Sequence, residues 1–357
     1  MKYLRLLFLF IAALTLSWIL QTAGMILPWL FGAMIATVIF HRLTGRDTGF
    51  KKWMGDVGIF IIGIEIGSTF TKETIIDLQD DVFNIVLLTL MVITLSLILA
   101  RFFTKMTGCT YETAVLATTP GALSQMILMA EEEKRADLLL VTLTQMSRIV
   151  LVVIVVPFVA SVFSDGAPGI PDDIEPDLTS VLIPEMLLLA AGAVALTFIL
   201  KLLKFPVPVM IAPMIGVLLW NLFTDHTFAL NVEFMYLAQV LFGIRVGIQI
   251  SSLVSRLNRR MVVSMLVQNV LLILGTFMIV ILFILFTDHN FNDLFLSAAP
   301  GGIGQIIIVA VEMGANIAMI SSYHIFRIFF ILLIVAPVIN IILSRNRRRR
   351  REDGEET

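Results

Sequence analysis

The chain has 357 residues, of which 58% are hydrophobic and only 15% charged, with a formal net charge of −2. About a quarter of an average soluble chain is charged, and no core of this size could hold so much apolar surface, so a water-soluble globule is excluded and a bilayer is the solvent. Cys109 is the single cysteine, which excludes an internal disulfide and a cysteine-based metal cluster; no metal and no cofactor are expected.

Taken in chain order, apolar segments run over 3–20, 24–41, 56–70, 83–104, 113–130 and 138–163. The first opens on Lys2 and Arg5, a pattern shared with signal peptides; a matching segment beginning near Leu182, which cannot be a signal, favours a membrane helix. The third carries Gly63-Ile-Glu-Ile-Gly67 and so places Glu65 inside a span. The fifth is interrupted by Thr118-Thr119-Pro120-Gly121, followed by Ser124 and Gln125, and the sixth holds Arg148. Ser164–Ser180 then forms a polar linker with five acidic and no basic residues. Six further apolar segments cover 181–200, 207–223, 234–250, 261–286, 294–312 and 317–343, before the basic run Arg345–Arg351.

The second set repeats the first at an offset of 180 residues. Pro28 falls on Pro208, Met34 on Met214, Ile35 on Ile215, Gly63 and Gly67 on Gly243 and Gly247, and Pro120, Gly121 and Gln125 on Pro300, Gly301 and Gln305. One residue is missing from the second copy near Gly314, so Arg148 pairs with Arg327, yet Pro157 returns to register with Pro337. Apolar runs align by chance; prolines, glycines, glutamines and arginines at constant offset do not. The expected organisation is a first repeat over 1–163, an acidic extracytoplasmic linker over 164–180, a second repeat over 181–344 and a charged cytoplasmic tail over 345–357.

Charge decides how the segments cross. If the two Pro-Gly segments dip in and return on one side, 21 of the 25 basic residues collect on the cytoplasmic face, as the positive-inside rule requires. Lys72 alone lies outside, and Arg148, Arg245 and Arg327 lie within spans. The expected fold is therefore an all-α polytopic membrane protein of two repeats, each with five transmembrane helices plus one re-entrant or broken helix. Five is odd, so the second repeat enters inverted and both termini face the cytoplasm of a cell (inner) membrane protein. Interrupted helices in inverted repeats are the architecture of secondary transporters.

The breaks are the candidate substrate site, because proline frees backbone groups and glycine permits close approach. The residues are Thr118, Thr119, Pro120, Gly121, Ser124 and Gln125 in one copy and Pro300, Gly301, Gly302 and Gln305 in the other. Intramembrane charges are costly and mark function or structure. Glu65 and Arg245 occupy equivalent positions and form either a salt bridge or an ion and anion pair of sites; Glu65, the only carboxylate well inside a predicted span, is the coupling candidate. Arg148 and Arg327 either meet substrate or hold unwound carbonyls in place, and His324 is a relay candidate or a satisfied buried histidine. Three arginines against one glutamate favour an anionic solute. The glycine pairs four apart read as helix packing, and Arg345–Arg351 reads as an anionic-lipid contact, not a nucleic-acid site. No HExxH, GxSxG or P-loop occurs, so an enzyme is not expected.

At the paired Pro-Gly-x-x-x-Gln segments the sequence resembles the duplicated bacterial membrane family named AbrB, over essentially the whole chain. Its members carry labels of ammonia monooxygenase or regulator, and the family is akin to inverted-repeat antiporters and elevator-type transporters. A copper monooxygenase needs a ligand cluster that four scattered histidines do not supply. The resemblance implies a membrane transporter of a small solute coupled to H+ or Na+, often a homodimer; the competing expectation is a membrane sensor that keeps the transporter fold without flux.

Overall fold

The computed structural model describes residues 2–45, 48–121, 123–133, 135–163, 183–224, 228, 230–254 and 259–341, without the side chains of residues 2, 124, 183–188, 254 and 259. The acidic linker and the Arg345–Arg351 tail lie outside the described residues.

Helices account for almost everything described. They are α1 (Lys2–Thr22), α2 (Pro28–Thr44), α3 (Lys52–Ser68), α4 (Lys72–Asp80), α5 (Val82–Thr107), α6 (Tyr111–Thr118), α7 (Leu123–Glu132) and α8 (Leu138–Val162). After the linker come α9 (Ile183–Leu202), α10 (Pro208–Phe223), α11 (Val232–Val254), α12 (Arg259–Phe283), α13 (Phe291–Ala298), α14 (Ile303–Glu312) and α15 (Ile317–Phe330). Six of these regions are long and apolar enough to cross a bilayer: those of α1, α5, α8, α11, α12 and α15. The α3 and α4 helices meet at an 85° bend. The α3 helix is apolar, whereas α4 (KETIIDLQD) is charged and has no buried residue. The chain is thus an all-α polytopic membrane protein.

Local geometry repeats at the sequence offset. Leu27 and Val207 both adopt left-handed conformations (φ 51° and 46°) immediately before Pro28 and Pro208, which open α2 and α10. Proline suits the first helical turn because its missing N–H would have had no partner there. Asp137 and Asn316 each accept a bond at 3.0 Å, from the Leu140 and Met319 amides, at the start of α8 and α15.

The offset of 179 at Arg327 and 180 at Pro337 has a physical counterpart. A π turn at Ile331–Val335 lies between them. Closing i to i+5 takes up one residue more than an α turn, so the extra residue is absorbed without moving Arg327 or Pro337 out of phase with Arg148 and Pro157.

Two compact units form, and neither is a sequence repeat. The first unit combines 1–82, 154–256 and 303–321; the second combines 83–153, 257–302 and 322–357. In the first unit, α3 packs on α10 and α11 on α2 at the glycine pairs. A Cβ on Gly63 would strike the Met210 carbonyl, and one on Gly67 would lie 2.6 Å from that of Met214. The same holds for Gly243 against the Leu30 carbonyl and for Gly247 at 2.7 Å from that of Met34. Small residues let the backbones touch, which is how helices gain contact where lipid removes the hydrophobic drive. Leu9, Ala13, Ala33, Ala36, Phe40, Val240 and Ile244 complete this core.

Candidate functional site

The second unit holds the first interruption between α6 and α7, and the residues of the second, Ala299–Gly302, at the end of α13. The α6 helix starts with Thr110, whose hydroxyl accepts the Thr113 amide. The Thr110 hydroxyl also donates to the Arg135 carbonyl at 3.0 Å, and the Asp137 amide donates to Thr113 at 3.0 Å. The start of α6 is thereby tied to the residues just beyond the end of α7, so α6 and α7 form a hairpin whose closed end is Thr119–Gly121. Gly121 has φ +87°, a conformation that favours glycine, and a Cβ there would lie 3.2 Å from Ile331, the first residue of the π turn.

Ending a helix in an apolar interior leaves carbonyls without partners, and each would cost about 1–3 kcal/mol. Buried side chains from α8 satisfy those of α6. Gln145 donates to the Leu116 and Thr119 carbonyls at 2.8 and 3.1 Å, and Arg148 donates to the Thr118 carbonyl at 3.1 Å and to Gln145 Oε1. The second copy repeats the arrangement on α13 and α15. His324 Nε2 binds the Leu296 carbonyl at 2.9 Å, and Arg327 donates to the Ala298 and Ala299 carbonyls at 3.1 and 2.8 Å. Arg327 also meets His324 Nδ1 at 2.6 Å. A carbonyl can only accept and a guanidinium only donate, so His324 carries its proton on Nε2 and offers the Nδ1 lone pair to Arg327. Both ring nitrogens are thus engaged as in a neutral imidazole, with no nitrogen left over to relay a proton.

Both guanidiniums are buried in the same unit. Among the described residues neither has a carboxylate partner. Further polar links hold this unit together. Thr118 Oγ1 donates to the Ser96 carbonyl at 3.2 Å, Thr119 Oγ1 to the Val115 carbonyl at 2.8 Å, and Asn269 of α12 to Ser147 Oγ at 3.0 Å.

The residues singled out from sequence therefore separate. Thr118, Thr119, Pro120, Gly121, Gln125, Arg148, Pro300, Gly301, Gly302, His324 and Arg327 belong to the second unit, and the side chain of Ser124 lies outside the described residues. Gln305, Glu65 and Arg245 belong to the first. Of the two readings for Glu65 and Arg245, a mutual salt bridge is not formed: Arg245 lies 3.6 Å from Asp56, nine residues before Glu65 on α3, with both side chains partly exposed. Glu65 is half-buried and is not the most enclosed acid of its unit. Glu312, at the end of α14, is more enclosed and is buried together with Gln239 of α11; Asp81 is buried as well. Gln268 of α12, next to Asn269, is also buried, with neither amide atom hydrogen-bonded. The sequence signal for both glutamines is a polar residue in the middle of an apolar span; for Glu312 it was an acid at the edge of one.

A family model described as the transition state regulatory protein AbrB matches residues 29–343. The chain belongs to the AbrB family. It is also similar to the uncharacterized protein YhjN of Bacillus subtilis (strain 168), at 24% identity over 346 residues covering 90% of this chain and 88% of that protein. The AbrB match spans both copies and both helix interruptions, so the paired Pro-Gly segments sit inside the region that defines membership.

Proposed function

We propose that this AbrB-family chain is a secondary, elevator-like transporter of a small anionic or polar solute coupled to H+ or Na+, built as two inverted repeats in the cell membrane. The observation that carries the reading is the pair of buried guanidiniums that the second unit holds behind its two helix interruptions with no carboxylate partner among the described residues. Two like charges in a low-dielectric interior repel, and an anion bound between Thr118–Gly121 and Pro300–Gly302 offsets that repulsion at the positive ends of the helices that follow the breaks. The unit with both interruptions is the substrate-carrying body, and the unit closed by glycine packing is the scaffold. The tied ends of the α6–α7 hairpin support a segment that enters and leaves on one side, and the positive-inside count supports the inversion. Elevator scaffolds are commonly dimeric, so a homodimer is part of the proposal, as is lipid contact by the Arg345–Arg351 tail. Glu65 offers one coupling carboxylate.

The test is reconstitution into liposomes under an imposed pH or Na+ gradient, with radiolabelled mono- and dicarboxylates, phosphate and neutral polar solutes. Accumulation of at least one anion, lost when the gradient collapses, is the expected result. A solute that binds and is never moved would instead favour a membrane regulator, the sense of the family's description. If flux is found and E65Q leaves its pH dependence unchanged, Glu65 is not the coupling group.

A further inference from the structure

Glu312 is the last residue of α14 and one of the most enclosed acids of the chain. Its carboxylate stands beside the backbone N–H of Leu27, the left-handed residue before α2, and accepts from Gln239 Nε2 of α11 at 3.5 Å. Gln239 is fully buried, and its Oε1 has no hydrogen-bond partner among the described residues. A buried carboxylate with an amide N–H donor and that same amide's idle oxygen beside it is a group with partners for two protonation states.

We propose that Glu312 is a proton-binding site, with Gln239 as the residue that serves both of its forms. Ionised, the carboxylate accepts from Gln239 Nε2 beside the Leu27 N–H. When a proton arrives from the aqueous phase an O–H bond forms on Glu312, nothing is oxidised or reduced, and a half-turn of the Gln239 amide presents Oε1 to accept that O–H. The proton thereby neutralises the charge beside the N-terminus of α2 and exchanges a charge-assisted bond for a neutral one about half as strong. Because α14 begins directly after Gly301-Gly302, the site stands one ten-residue helix away from the second interruption, about 15 Å along its axis. The inference rests on the transport reading for its purpose, as the H+ site of coupling, and it exists in one copy only: the equivalents of Glu312 and Gln239 are Glu132, which is exposed, and Ile59.

Other charges do not account for it. The α14 helix carries no second ionisable residue, and those of α2, His41 and Arg42, lie at its far end from Leu27. On α11, Glu233 and Arg245 are each six residues from Gln239, about 9 Å along the axis, and Arg245 is paired with Asp56. The remaining ionisable residues of α3, which packs on α14, are Lys52 and Glu65. Among the described residues Glu312 makes no ion pair.

The structure also supplies a reporter. Trp29, two residues after Leu27, stacks on Tyr236, one helical turn before Gln239, at a centroid distance of 5.1 Å. Purified full-length protein in which Trp18, Trp53 and Trp220 are replaced by phenylalanine is titrated between about pH 5 and pH 9, with Trp29 fluorescence as the readout. A one-proton transition is expected, present in H41Q and absent in E312Q, whose signal stays at the low-pH level throughout. Should E312Q not be recovered folded, Q239L provides the answer: it removes a partner from both forms, and its midpoint moves by about half a pH unit or more. A flat wild-type titration, an E312Q variant that titrates like wild type, loss of the transition in H41Q, or an unmoved midpoint in Q239L overturns the proposal. The readout needs no flux, so a transition lost in E312Q without transport of any solute contradicts the transport reading and leaves the proton site standing. Proton-coupled flux whose pH dependence survives in E312Q does the reverse.

Discussion

The two units meet the same demand by opposite means. Each must bury helix backbone away from water, where an unpaired amide or carbonyl costs several kcal/mol in lipid. In the first unit α2, α3, α10 and α11 run unbroken through their contacts and press backbone on backbone at Gly63, Gly67, Gly243 and Gly247. The second breaks its helices and then recruits Gln145, Arg148, His324 and Arg327 to hold the loose carbonyls. Whole helices tolerate no added volume; broken ones tolerate no missing donor. The difference leaves polar backbone held by side chains in the second unit where the first has close helix packing.

That contrast is broken most severely at a glycine. Gly63→Val places branched carbon where the Met210 carbonyl already lies, and the overpacking is expected to cost roughly 3 kcal/mol, seen as loss of folded protein in detergent or a sharply lowered Tm. Arginine removal comes next. Arg327→Met strips donors from two carbonyls, Ala298 and Ala299, whereas Arg148→Met strips one, because Gln145 retains Thr119. A loss of about 2 kcal/mol is expected for Arg327→Met and about 1 kcal/mol for Arg148→Met; equal losses in thermal unfolding would show that the two breaks are not anchored as described. The smallest effect belongs to His324→Gln, which copies Gln145 by offering a donor to the Leu296 carbonyl and an acceptor to Arg327. Its Tm is expected to stay within the change of about 0.5 kcal/mol typical of a benign substitution, with the pH profile of any flux unaltered; a shifted profile would restore His324 as a proton relay.

Much of this was legible before any coordinates. The interruption at Pro120-Gly121 and Pro300-Gly301 and the packing role of the glycine pairs follow from residue type and offset, whereas for Arg148 and Arg327 residue type left substrate contact and carbonyl support both open. The change of register between Arg327 and Pro337 was legible too, but the π turn that absorbs the extra residue was not. Partners across the fold were not legible. Which carboxylate meets Arg245 depends on how α3 is rotated against α11, and Asp56, not Glu65, faces it. The enclosure of Glu312 depends on α2 and α11 arriving from opposite ends of the sequence, and a carboxylate at a segment edge reads as solvated until they do. The division into units was hidden for the same reason: linear duplication suggests one body per copy, while each body takes helices from both.

The central claim is that the two interruptions approach from opposite faces of the membrane, and side-specific labelling tests it most directly. Cys109, half-buried with a thiol that burial pushes above its usual pKa, is replaced by serine. Single cysteines then go in at Lys105, exposed at the end of α5, and at Asp288, exposed between α12 and α13. A membrane-impermeant maleimide is expected to label Lys105→Cys only from the cytoplasmic side and Asp288→Cys only from outside. Labelling of both from the same side would contradict the inversion, and the alternating pair of half-sites would fall with it.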